Sequence, residues 1–184
     1  MVTGNAASKS LLKSLPYDLE KDFAPITSVA FFDLLLLVKG SSELKNMADV
    51  LSFASKKPGG VNLASTSTGS IQNLTAHLFN STTGIKASII TYKTSGEMLS
   101  SLLRGDVDFA FDAYTSLKSP IDARQLRAVV STGPRRSQSL PDGGTMKESS
   151  FTDFEVIGWN SLFAPAGTPP ATIALLNKHV AEII

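Results

Sequence analysis

The chain has 184 residues, a formal net charge of +1 and no cysteine, which is enough length for one sizeable core or for two small lobes sharing a hinge. No basic cluster exceeds Arg135-Arg136, so a nucleic-acid or anionic-membrane surface lacks an electrostatic basis. Two histidines and no cysteine exclude a disulfide framework and a thiolate nucleophile, and argue against a zinc site or any other metal site.

Met1 to Leu12 reads as a polar, loop-like start with no basic segment leading into an apolar run, so the sequence as written carries no export signal. The longest apolar stretch, Leu34 to Val38, is too short to span a bilayer. Bounded by Gly40-Ser41-Ser42, it suits a strand buried on both faces. Asn46 then caps a helix that turns Met47, Val50, Leu51 and Ala54 to one face before Pro58-Gly59-Gly60 ends it. Val61 to Ser65 is the next strand. Ser70 caps a second helix with Ile71, Leu74 and Leu78 inward and Gly84 in the turn beyond, and Ser88 to Thr91 is a third strand. Ser95 caps a helix burying Met98, Leu99, Leu102 and Leu103, with Gly105 as its left-handed end. Strands at Val107 to Phe111 and Leu126 to Ser131 follow.

Thr132 to Thr145, with Pro134, Pro141 and Gly143-Gly144, reads as a surface connection, and a strand pair, Glu155 to Trp159 and Leu162 to Ala164, comes after it. Thr168-Pro169 supplies an N-cap with proline at the first helical position, and the sequence stops inside that helix, so truncation at both ends is expected. Short strands alternating with helices predict an α/β fold with a mostly parallel, doubly wound sheet. The segments before Phe32 and after about Trp159 do not continue the alternation and are assigned to a second lobe.

In such a sheet, ligands bind beyond the carboxyl ends of the strands, which selects three loops: Ser65 to Ser70, Tyr92 to Gly96, and Asp112 to Thr115. The first places Ser65, Thr66, Ser67, Thr68 and Ser70 with Gly69 at a helix start, where free N–H groups and the helix dipole favour an anion such as a carboxylate. An ordinary Ser/Thr-rich cap and turn has the same composition, and the lysine and second glycine of a phosphate loop are absent. Lys93 offers a point charge, or a solvated side chain. Asp112 ends a strand as a hydrogen-bond acceptor for a ligand, or as the N-cap of the next helix. Trp159 packs in the core or hinge, or forms the wall of a cleft. His77 lies inside a helix and His179 near the chain end, Asp106 and Asp108 read as a solvated loop, and no nucleophile, base or cofactor motif converges. No catalytic residue is assigned and no cofactor is expected.

Leu15-Pro16-Tyr17-Asp18, Lys21-Asp22-Phe23-Ala24-Pro25, Thr68-Gly69-Ser70, Tyr92-Lys93, Leu103 to Asp108 and Ala164-Pro165-Ala166-Gly167-Thr168-Pro169 together resemble, in order, signatures of the tripartite tricarboxylate transporter substrate-binding proteins, the Bug receptors. The resemblance implies a type II periplasmic-binding-protein-like fold of two lobes. It also implies a non-enzymatic periplasmic receptor that closes on a small organic anion (a di- or tricarboxylate, an amino acid or an aromatic acid) and delivers it to membrane permease subunits. The family's signal segment and the proline-glycine-glycine loop after its first strand have no counterpart here, so the first lobe is expected to be incomplete. By position, Ser65, Thr68, Gly69 and Ser70 would hold the proximal carboxylate, Lys93, Thr94 and Asp112 would sense the distal end, Asn5 and Ala6 would match the first-lobe loop, and Thr66 and Asn73 would complete the ligand-binding set. Asn73 stands where the family commonly has His, and Thr94 where it commonly has Gly.

The expected division is residues 1–33 for part of the first lobe and the hinge, 34–155 for the second lobe, and 156–184 for the hinge return and a first-lobe helix. Rival readings are a ligand sensor that signals to a sensor kinase or other partner, an enzyme on a similar fold, and a remnant that binds nothing. Exposed edges left by the missing segments would allow a homodimer formed by exchange of elements.

Overall fold

The computed structural model describes residues 1–137 and 143–184 and divides into two compact units, Met1–Phe32 with Gly158–Ile184, and Asp33–Ile157. Pro141 of the expected surface connection lies outside the described residues.

The larger unit is built around the run Leu34-Leu35-Leu36-Leu37-Val38, all at most 1% exposed, which forms the second half of β1 (Phe23–Lys39). It is followed by α2 (Met47–Ser55), β2 (Asn62–Thr66), α3 (Ile71–Thr83), β3 (Ser88–Tyr92), α4 (Ser95–Arg104), β4 (Phe109–Ala113), α5 (Tyr114–Asp122), β5 (Leu126–Ser131) and β6 (Gly144–Thr145). The strand order is β3-β2-β4-β1-β5-β6. β2 is parallel to β3 and β4, and β5 to β6, while β1 lies antiparallel between β4 and β5. The sheet is thus mixed and mostly parallel. A central strand covered on both faces reads the same in either direction, which is why periodicity left the direction of β1 open.

Successive residues of a strand face opposite ways, and the helices divide accordingly. Leu35, Leu37, Ala64 and Ala110 meet Met98 and Leu102 of α4 and Leu117 of α5. Phe111 instead packs edge-on against Phe79 of α3, with centroids 5.5 Å apart, and Phe79 in turn against Phe154 at 6.5 Å. Phe79 and Phe111 are fully buried, and each contributes on the order of 1.5–3 kcal/mol by leaving water.

Local chemistry sets the helix ends. Asn46 Oδ1 accepts from Asp49 N at 3.0 Å, Ser70 Oγ from Asn73 N at 3.1 Å, and Gly84 and Gly105 close α3 and α4 with positive φ. Four details differ from the sequence-based expectation. The cap of α4 is Thr94, whose Oγ1 accepts from Glu97 N at 3.2 Å, so Ser95 is the first helical residue. In α3 the buried face runs through Ile71, Asn73, Thr75, Ala76 and Phe79, leaving Leu74 half-buried and Leu78 38% exposed, because Phe79 takes the place against Phe111. β4 starts two residues late because the backbone before it forms a bend, in which Asp108 Oδ2 accepts from Asn62 N and Oδ1 from Lys57 Nζ. Asp106 accepts from Arg104, so neither aspartate is merely solvated.

Thr132, fully buried, ties together the two points where the chain passes between the units, from the side of the larger unit. Its Oγ1 accepts from Leu34 N at 2.9 Å and donates to Val156 O at 2.8 Å, while its backbone bonds to Leu34 O and Val156 N. Ser131 Oγ beside it donates to Asp33 Oδ2.

The smaller unit contains α1 (Thr3–Leu11), the first half of β1, most of β7 (Ile157–Pro165) and α6 (Pro170–Ala181), with β7 paired to β1. The expected terminal loop is therefore a helix, and the expected strand pair is one strand. Ser28 Oγ and Ser161 Oγ lie 2.9 Å apart, Thr3 Oγ1 accepts from Trp159 N at 2.7 Å, and Asn177 Nδ2 donates to Ile26 O at 2.7 Å. The cap position of α6 falls on Pro169, with Pro170 opening the helix, so Thr168 does not cap it. No helix among the described residues is long and apolar enough to cross a membrane.

Candidate functional site

The carboxyl end of β2 runs into the first turn of α3 through Thr66 to Ser70, and side-chain hydrogen bonds fix this turn. Gly69 sits at φ +83°, a left-handed conformation that other residues rarely adopt. Its N–H is held by Asn73 Oδ1 at 3.2 Å. Asn73, 4% exposed, donates from Nδ2 to Ser65 Oγ at 3.1 Å, and fully buried Ser65 passes its own proton to Thr66 O. Asn73 therefore braces the loop through both ends of its side-chain amide.

Ser70 stands at the helix start as the N-cap of α3. Its Oγ accepts from Thr66 Oγ1 at 2.9 Å and from Asn73 N at 3.1 Å. A hydroxyl has two acceptor sites and one donor, so neither of these bonds uses the Ser70 proton. The first N–H groups of α3, at Ile71 and Gln72, have no partner within the helix, and the dipole adds positive potential there. The arrangement offers two or three donors and no opposing charge from the loop, which fits one carboxylate.

At the end of β4, paired to Leu35 of β1, Asp112 is 1% exposed. Its Oδ1 accepts from Ala113 N at 2.8 Å and from Gln72 Nε2 at 3.0 Å, while Oδ2 has no partner among the described residues. Asp112 is not the cap of α5, whose cap position is Ala113 with no side-chain bond. Gln72 was missed in the sequence because its partner lies forty positions away. The available signal was a polar residue two after a helix cap, combined with an aspartate in a fully buried strand.

Of the remaining expected residues, Thr68 belongs to the same loop, and Lys93 and Thr94 follow Tyr92, which pairs with Thr66 across β3 and β2. Thr68 is on the exposed outer part of the loop. Lys93 is exposed at the end of β3, with its backbone N–H on Glu97 Oε2, and the Thr94 hydroxyl caps α4. Asn5 and Ala6 belong to α1 in the other unit, where Asn5 Oδ1 accepts from Val2 N at 2.8 Å. A cavity of about 850 Å³ beside β5, lined by Lys45, Asn46, Arg124, Arg127 and Gly143 among others, contains none of the loop residues. Among the described residues no three His, Asp or Glu side chains gather as a metal site would require.

The family model for the tripartite tricarboxylate transporter family receptor matches residues 1–183. The chain belongs to this receptor family. Protein BugT of Bordetella pertussis is 31% identical over 179 residues, covering 97% of this chain and 55% of BugT. A UPF0065 protein from the tcbD-tcbE intergenic region of Pseudomonas sp. strain P51 is 29% identical over 183 residues, covering 99% and 54%. The chain thus spans about half the length of the curated receptors it matches.

Among solved structures of the family, the periplasmic binding protein BugD superposes with a TM-score of 0.89 at 27% identity, over 98% of this chain and 60% of BugD. An R. palustris protein with adipate gives 0.86 at 30% identity, over 92% and 56%, and MatC of Rhodopseudomonas palustris with bound malate gives 0.84 at 27%, over 96% and 60%. The receptor fold expected from the sequence is therefore present, as the shared type II binding-protein α/β architecture.

Proposed function

We propose that this chain is the ligand-capturing part of a non-enzymatic periplasmic receptor, and that it binds one carboxylate of a small organic acid at the start of α3. Hinge closure about the two chain crossings near Asp33 and Ile157 would be the state that a membrane permease reads. The observation that carries the reading is the saturation of Ser70 Oγ as an acceptor, which leaves its proton beside the free N–H groups of a helix start. The acids named with the related structures, adipate and malate, both bear carboxylates.

Two charge-assisted hydrogen bonds at roughly 1.5–3 kcal/mol each, with about 1 kcal/mol from the dipole, total roughly 4–7 kcal/mol. That corresponds to dissociation constants from about millimolar to about ten micromolar, so tighter binding requires further contacts. Thermal unfolding against a panel of di- and tricarboxylates, amino acids and aromatic acids tests the reading. A ligand at about a hundred times its dissociation constant adds about 2.7 kcal/mol. Selective stabilisation that is lost in Ser70→Ala supports the site. A cooperatively melting protein that no acid stabilises, or that is stabilised equally with and without Ser70, contradicts it.

A further inference from the structure

We propose that Asp112 fixes the orientation of the Gln72 carboxamide, so that the helix-start site prefers acids carrying a hydroxyl or ammonium donor beside the carboxylate over plain dicarboxylates. The inference rests on the carboxylate site proposed above and adds to it the residue that reads the rest of the ligand.

An ionised carboxylate only accepts hydrogen bonds. Asp112, 1% exposed, takes one from Ala113 N and one from Gln72 Nε2, and Oδ2 takes none among the described residues. Turning the Gln72 amide over would set its carbonyl oxygen against a buried carboxylate and remove one of that group's two partners. The amide is thereby locked with nitrogen toward Asp112 and Oε1 on the other side, as an acceptor. Gln72 is also one of the first helical residues whose backbone N–H is free for an anion. One residue therefore presents a donor for the carboxylate and an acceptor for a group a few atoms away, the pattern of a 2-hydroxy or 2-amino acid. A methylene facing Oε1 would take the place of water there without supplying a hydrogen bond, which is how a polar site discriminates against an analogue lacking the donor. Asp112 does not touch the ligand in this scheme, so it is a positioning residue, and Gln72 is the residue that determines specificity.

Isothermal titration of the full chain with succinate, malate and aspartate tests this. Malate or aspartate is expected to bind at least tenfold tighter than succinate. Gln72→Ala should weaken the favoured acid tenfold or more while changing succinate less than threefold. Asp112→Asn, which can donate as well as accept, frees the amide to turn and should erase the same preference; a merely structural role would weaken all three acids by one factor. Equal affinity of the wild type for all three acids overturns the inference and leaves the carboxylate site standing, as does an equal loss for all three in Gln72→Ala. A wild type that binds none of the three overturns the inference, and the carboxylate site is overturned with it only if no acid of the wider thermal panel stabilises the protein.

Discussion

Asn73→Ala probes what holds the ligand loop in place. The substitution deletes the bonds to Gly69 N at 3.2 Å and Ser65 Oγ at 3.1 Å. Each is worth roughly 0.5–1.5 kcal/mol net. Ser65 Oγ keeps its bond to Thr66 O, and half-buried Gly69 N is within reach of water, so neither becomes a full orphan. The expected loss is therefore about 1–3 kcal/mol, or roughly 4–8 °C in melting midpoint for a central value of about 2 kcal/mol in a chain of this size. Thermal and urea unfolding followed by circular dichroism read it directly. Asn73→His is the informative companion. A neutral imidazole has one donor and one acceptor, the two functions Asn73 uses here, so it should recover more than half of the loss. A change below about 0.5 kcal/mol in the alanine variant, within the range of ordinary surface substitutions, refutes the account of the loop, as does a histidine variant no more stable than the alanine one.

Thr132→Val keeps the side-chain shape but leaves Leu34 N and Val156 O without their hydroxyl partner. It should cost about 1–3 kcal/mol, chiefly the desolvation penalty of the buried Leu34 N, since Val156 O is only half-buried, measured as a lowered urea midpoint at unchanged slope. Gly40→Ala would set a Cβ 1.9 Å from Arg124 O, whereas at Gly60 nothing lies nearer than 3.6 Å. The first change should destabilise by at least about 1–3 kcal/mol and the second by less than half as much, by thermal unfolding. The Glu148 carboxyl is held below its ordinary value of 4.5 by the Arg136 guanidinium, then by the Thr145 N–H. A lowered folded value means that its contribution is complete above 4.5 and is lost as pH falls through the lower folded value. The protection factor of the Thr145 amide, with the intrinsic pH dependence of exchange divided out, should fall only in that acid range, and Glu148→Gln should remove that fall.

The parts of the fold legible in the sequence are those decided within a few residues. Asn46 and Ser70 cap α2 and α3 through bonds to the residue three positions on, and Gly84 and Gly105 close α3 and α4 because the left-handed region favours glycine. The run at Leu34 announced a buried strand, but its antiparallel direction depends on partners at Ala113 and Ser131, far away in sequence. Phe79 displaced Leu78 from the buried face of α3 for the same reason: Phe111 is its contact. Within the site, Thr66, Gly69 and Ser70 were legible as a helix start. The bracing role of Asn73 and the Asp112–Gln72 contact were not, because composition does not tell which way a side chain turns at a loop.

The most direct test of the central claim is an NMR titration of the full chain with malate, following backbone amides. The account predicts saturable shifts concentrated at Gly69, Ser70, Ile71 and Gln72 and abolished in Ser70→Ala. Saturable binding that moves amides elsewhere and leaves those four unchanged would contradict it.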